Sequence, residues 1–440
     1  MVFVPMHGVG GARDLPIPAS LAISAATAAL VVSFTVLIVA WRSPRYDART
    51  QGRPLPAALA RLIDNAGLRW TLRVLGLVVA GYLVWALLAG PDAVTNPVFG
   101  SFYVLLWVGI VPFSLLFGPA FRLVSPMRTI NLLLARVTGG DPASGVYRYP
   151  ERLGYWPAGV GLFAFVWQEL VNPQSTLIGS VRLWLSVYVA ATLIGSALFG
   201  DTWFKRVDPF EVYSSLVGRL APIGRREDGA LVLRSPLTGL DGVHVAPGLV
   251  AVLSVLFGST AFDSYQDKLS WIDFVARQSI PSELTNTLAL LAFTGAVALT
   301  FSLAAMATGA STHVPRSRLP GRLVHCVIPI VVGYMTAHYL SYFVEQGQTT
   351  LIQLSDPLVR GDNVLGTANL TVSYWLSGHP TFLASAKVLA IVAGHITGAV
   401  AAHDRALRLL PKQHQVTGQI GMLLVMVAYT GTGLYLLFGA

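Results

Sequence analysis

Two histidines, His338 and His395, lie inside the long apolar stretches VIPIVVGYMTAHYLSYFVEQGQ and FLASAKVLAIVAGHITGAVAAH. A charged side chain at the centre of a bilayer costs roughly 2.5–3.5 kcal/mol on insertion scales, so an ionisable group at that depth marks a functional site by default. His338 has polar company at helical spacing. Tyr342 and Glu345 follow it and Tyr334 precedes it. Counted from Tyr334 at about 100° per residue, His338, Tyr342 and Glu345 fall at about 40°, 80° and 20°, so the four side chains form one stripe. Lipid cannot satisfy such groups, and the stripe must face the interior of a helix bundle or a wet cavity.

Other ionisable residues reach the same depth. At ~1.5 Å per residue from the basic end of each run, Glu169 stands about 26 Å up, Asp263 and His338 about 24 Å and Lys387 about 27 Å, with His395 lower at about 15 Å. Histidine with carboxylates at one level fits a divalent-metal site of nitrogen and oxygen ligands. It fits a proton relay nearly as well. Blander readings stand beside these. Glu169 and Glu345 are near the outer border, where water can solvate them; Lys387 can snorkel outward. Asp263 in GSTAFDSYQD can be an interfacial cap, His395 a packing residue, and His403, Asp404 and Arg405 plain loop residues. Gly394 and Gly398 in GHITG form a small-xxx-small pattern that lets a second backbone approach beside His395.

The elements that must position these groups are membrane spans. Hydrophobic residues make up 54% of the 440 residues and charged ones only 12%, with mean hydropathy +0.62. Soluble domains carry about 25% charged residues. The expected fold is all-α: a single integral membrane domain over residues 1–440, a polytopic transmembrane helix bundle. About ten apolar runs are long enough to cross, near 19–41, 71–90, 99–121, 154–172, 177–199, 248–263, 285–307, 323–344, 381–402 and 416–437. Of the 30 Lys and Arg, 23 lie in the segments after the first, third, fifth, seventh and ninth runs. That bias places those segments in the cytoplasm and both termini on the outer side. It also accounts for the net charge of +9 without nucleic acid. The N-terminus, with only Arg13 before the first run, does not read as a cleaved signal peptide.

Two inner connections, PLPAALARLIDNAGLRW and GDTWFKRVDPFEVYSSLVGRLAPIGRREDG, read as amphipathic interfacial helices. Outside, GQTTLIQLSDPLVRGDNVLGTANLTVSYWLSGHP is long and polar, either a lid or a plain loop. Cys326 is the one cysteine, which rules out an intrachain disulfide and a cysteine-rich metal site. There is no internal repeat, no H-E-x-x-H, no G-x-S-x-G and no Walker A sequence.

Several segments, in order along nearly the whole chain, resemble a bacterial family of integral membrane proteins named after fenitrothion hydrolase: HGVGGARDLPIP, FGDTWFKRVDPFEVYSSLVGRLAPIGRR, GSTAFDS, GYMTAHYLSYFVEQGQ with LSDP, and AGHITGAVAAHDRAL. The resemblance implies hydrolysis of an organophosphorus (phosphorothioate) triester in the bacterial inner membrane, with termini in the periplasm. The apolar small-molecule substrate would enter from the bilayer or the outer side. A divalent metal would activate water and polarise the phosphoryl or thiophosphoryl group. His338 and His395 would be ligands with Asp263 or Glu169, and Glu345 a general base or a partner of a ligand. His7 and Asp14 lie in a matched segment on the outer side and would close over the layer. Two rival readings stand on physics alone. One is a transporter or channel for a metal ion, proton or small solute; the other is a non-catalytic membrane subunit or assembly factor.

Overall fold

A computed structural model describes residues 11–308 and 314–438, and these divide into two compact units. One comprises Met1–Gln51, Pro236–Tyr342 and Tyr374–Ala440; the other comprises Gly52–Ser235 and Phe343–Ser373. The long helix Val327–Gln353 contributes to both.

Every expected apolar run is helical. Among the described residues, seven helices are long and apolar enough to cross a membrane: Ala19–Ala40, Ala66–Ala89, Ile178–Phe199, Ser282–Ala307, Arg316–Gln353, Pro380–Leu409 and Thr417–Phe438. An eighth crossing results if the pair Pro97–Val108 and Ile110–Phe117, bent by 44°, counts as one span. This supports an all-α membrane bundle but falls short of ten spans. The two shortfalls have a physical cause. Trp156–Leu170 has 15 residues, about 22 Å of helix against a ~30 Å hydrocarbon layer. Leu249–Gln266 is longer, but its second half carries Ser259, Thr260, Asp263 and Ser264, all buried against protein. A helix sheltered by neighbours need not be apolar all round.

Burial separates the helices further. In the most apolar stretch of Arg316–Gln353, 89% of residues are buried, against 11% for Ala66–Ala89. The first is a central element. The second presents leucine and valine side chains such as Val74, Leu75, Val78 and Leu88 to the surroundings, as a lipid-facing helix must.

In the first unit, Ala19–Ala40 packs on Pro380–Leu409 and Ile420–Phe438, and Leu249–Gln266 packs on Ser282–Ala307. Glycines set the closest approach. A Cβ on Gly398 would sit 2.6 Å from Cys326 O, and one on Gly394 would sit 3.2 Å from Gly333 Cα. The expected small-residue seam thus joins Pro380–Leu409 to the His338 helix.

In the second unit, Gly100–Val108 is a π-helix, with Gly109 N bonded to Val104 O at 3.0 Å. Its Phe102 and Trp107 join Phe165, Trp184, Phe210 and Tyr213 in an aromatic core with several ring centroids about 5 Å apart. The GDTWFKR segment is not an interfacial helix. It breaks at Val207 into Asp201–Arg206 and Pro209–Val217, and the latter is almost wholly buried. Asp208 forces the break by capping the second helix, accepting from Phe210 N at 3.0 Å and Glu211 N at 3.2 Å. Polar side chains explain why the helix sits inside: Arg128 binds both Glu211 and Asp201. A small antiparallel sheet follows, in the order Arg53–Pro54, Leu231–Leu233, Ile223–Arg225. The other inner connection yields a short helix, Ala57–Ile63, with Leu59 and Leu62 exposed. The long outer segment begins as helix up to Gln353 and is irregular only beyond it.

Candidate functional site

The site forms where Leu249–Gln266 meets the central helix, entirely within the first unit. His338 Nε2 lies 2.8 Å from Asp263 Oδ2, and His338 Nδ1 lies 3.1 Å from Ser264 Oγ. Tyr339 donates its hydroxyl to the same Asp263 oxygen at 2.6 Å, and Gln266 donates to Asp263 Oδ1 at 3.0 Å. Ser264 Oγ is also 2.9 Å from Tyr334 Oη and 3.1 Å from Thr260 O. His338, Asp263, Tyr334 and Tyr339 are each at most 2% exposed.

Adjacent residues on a helix diverge by about 100°. Asp263 and Ser264 therefore grip the imidazole from two sides, while His338 and Tyr339 grip the carboxylate likewise. The hydrogen-bond chemistry links the tautomer to the carboxylate: where Asp263 is ionised it only accepts, and His338 then carries a proton on Nε2. In the neutral ring Nδ1 is then an acceptor, and Ser264 donates to it. When Nδ1 gains a proton, Ser264 must turn its own towards Thr260 O. The serine rotor thus has one position for each charge state of the ring.

Asp267, one turn beyond Asp263 at the helix end, has its carboxyl pushed up to about 6. Partial burial is the main cause and the Asp263 charge adds to it, with His338 pulling the other way. Two carboxylates and one imidazole are electrostatically coupled here.

The remaining expected residues separate. The Gly394–Gly398 seam runs antiparallel, with Gly398 on Cys326 and Gly394 on Pro329 and Gly333. Continuing that register puts Lys387 opposite His338 and His395 opposite Pro329, about 13 Å from the His338 level. His395 does not join them, because the close packing that could have brought it near holds it a few turns away. Its Nδ1 lies 2.9 Å from Ile391 O of its own helix, and its buried Nε2 has no partner among the described residues. Asp14 sits in the turn Ala12–Asp14, which packs on Pro380–Leu409, and its charge acts on Lys387. Glu345 and Glu169 belong to the other unit, where Glu345 is buried and Glu169 acts electrostatically on Tyr103 and Tyr213. His7 lies outside the described residues. His403 is bonded to Gln419 Oε1 and Trp41 O, both at 2.9 Å, and works as a tie between helices.

Three members of the network were not singled out from sequence: Ser264, Gln266 and Tyr339. Their signal was adjacency, since each stands within three residues of a flagged ionisable group. Single-face reasoning discards such neighbours.

No protein-family model, curated protein or solved structure matches this chain. The site has to be read from its own atoms. Among the described residues no three His, Cys, Asp or Glu side chains converge to hold a metal ion. Both ring nitrogens of His338 are engaged by protein groups, and its one carboxylate partner accepts at both oxygens. Among the described residues this cluster brings together one histidine and one carboxylate of the expected ligands, with His395 bonded elsewhere and His7 outside the described residues.

Proposed function

We propose that this is an inner-membrane protein that moves or couples protons, with Tyr334, Ser264, His338 and Asp263 as the proton-bearing chain and both termini on the outer side. The observation that carries the reading is the engagement of both His338 nitrogens, one by a carboxylate and the other by a hydroxyl that leads on to a tyrosine. A proton arriving at Ser264 passes to Nδ1 as the serine hydroxyl replaces it, giving an imidazolium stabilised by Asp263. Loss of the Nε2 proton towards Asp263 completes the transfer. The burial of every member favours this reading over substrate binding, since a proton needs no open volume.

The test is reconstitution into sealed vesicles with a pH-sensitive dye inside. The reading expects proton flux, alone or driven by a co-transported solute, that His338→Gln abolishes. Flux that is unchanged in His338→Gln would overturn it.

A second reading has its own observation. Asp263, His338 and Ser264 stand in the order carboxylate, imidazole, hydroxyl, an arrangement that activates a nucleophile by general-base catalysis. In a hydrolase of phosphorothioate triesters such as fenitrothion, His338 would take a proton from water as that water attacks phosphorus. The leaving nitrophenolate needs no strong acid. This reading expects nitrophenol release by protein in detergent, where no gradient exists, and loss of that release in His338→Gln.

A further inference from the structure

Among the described residues, four arginines of the Gly52–Ser235 segment gather with no carboxylate paired directly to any of them, although Glu211 and Asp201 act on Arg122 from a distance. Gly218 rests directly on the Gly118–Pro119 turn, where a Cβ would come within 2.6 Å of Gly118 C. This brings Arg219, in the Gly218–Leu220 turn, towards Arg122 of the short helix Phe121–Val124, and the two charges repel. Arg234 follows the strand Leu231–Leu233, lies across Gly224 and is repelled by Arg219. Arg206 stands 4.7 Å from the Tyr155 ring centroid, and Arg206 and Arg219 both act on that phenol. Burial, and then the neighbouring guanidinium, hold Arg219 and Arg234 below the usual arginine value, against the pull of Tyr155 on Arg219.

Elsewhere in the same unit basic side chains do find acids. Arg128 binds Glu211 and Asp201, Lys205 binds Asp201 at 2.6 Å, Arg225 binds Asp64 and Arg226 binds Asp228. The gathered arginines have no such partner among the described residues, and two of their N–H groups, Arg206 Nη1 and Arg234 Nε, are buried with no acceptor. A folded protein does not assemble like charges and orphaned donors without compensation. The planar guanidinium fork matches the oxygens of a phosphate. The excess of basic residues in these connecting segments, ordinary on a cytoplasmic face, explains their number but not their convergence.

We infer that Arg122, Arg206, Arg219 and Arg234 form a binding site for a phosphate-bearing anion on the cytoplasmic side, supplied by an anionic lipid headgroup or by soluble phosphate. The inference stands apart from the proton reading, since it uses none of the same residues.

The experiment is native mass spectrometry of purified protein with phosphatidylglycerol or phosphatidylcholine, beside thermal unfolding with added inorganic phosphate. A preference for phosphatidylglycerol of about tenfold, lost in Arg219→Gln and Arg234→Gln, is expected for a lipid source, charge-assisted bonds being individually strong. A rise in unfolding temperature with phosphate, lost in the same variants and without a lipid preference, assigns the soluble source. Arg122→Gln, at an exposed position, reports the same loss should the half-buried variants fail to fold. Arg61→Gln, an exposed arginine of the helix Ala57–Ile63, should change nothing. Wild-type protein that shows neither preference nor stabilisation, or an equal loss in Arg61→Gln, would overturn the site.

Discussion

His338 and His395 are both almost fully buried on helices that touch, yet their surroundings differ in kind. His338 is bonded at both ring nitrogens to residues of another helix. His395 is bonded at one nitrogen to the backbone of its own helix and, among the described residues, at the other to nothing. Burial alone therefore does not mark a working histidine. On the proton reading, the mark would be an acceptor on one nitrogen and a group that can both donate and accept on the other, supplied across a helix interface.

That contrast can be attacked by mutation. The largest expected effect is from His338→Ala, which removes one of the three donors that serve the Asp263 carboxylate; losing a hydrogen bond to a charged group costs about 1.5–3 kcal/mol. Thermal unfolding in detergent should show it together with loss of proton flux. A variant as stable as the parent would mean that the pair is not the keystone described. Next comes Gly394→Ala. Its methyl group would press on Pro329 O, and overpacking of this sort costs about 1–3 kcal/mol. Because the seam sets the depth of Lys387 against His338, flux should fall along with stability. His395→Leu should do the reverse. Removing an unsatisfied buried nitrogen is expected to raise stability by about 1 kcal/mol and to leave flux unchanged. Lost flux in this variant would erase the distinction between the two histidines.

The smallest effect concerns pH. Asp267 holds its proton more tightly in the folded protein than the ordinary carboxyl value of 3.8 allows, at about 6. The folded state is thus stabilised as pH falls from about 6 towards 4, and the gain is lost as pH rises through 6. Asp267→Asn should flatten that slope in an unfolding series across this range, and an unaltered slope would detach Asp267 from the cluster.

Much of this arrangement was legible in the sequence because bilayer physics is strict. Each apolar run became helical, and the Gly394–Gly398 spacing became a close contact with the His338 helix. Two kinds of information were not legible. Helical periodicity gave the face of His338 but not the neighbour opposite, so the choice of Asp263 over Glu345 or Glu169 needed three dimensions. Counting residues from basic borders also assumed straight, parallel spans. It could not foresee that Asp208 would turn a connecting segment inward. The arginine cluster was hidden for a related reason, since its members are scattered from Arg122 to Arg234 and only the short sheet and turns collect them.

The π-helix at Gly100–Val108 gives the chain a length buffer. An α-helix closes its bonds four residues back and this stretch closes them five back, so it stores slack that an ordinary turn lacks. Deleting one residue inside it lets the backbone tighten to α geometry with little change in where Ile110–Phe117 begins. The same deletion within Ile178–Phe199 has no slack to draw on and turns everything downstream by about 100°. The protein should therefore tolerate shortening at this one place in its spans, and a deletion scan read by folded yield would find it as a single permissive window.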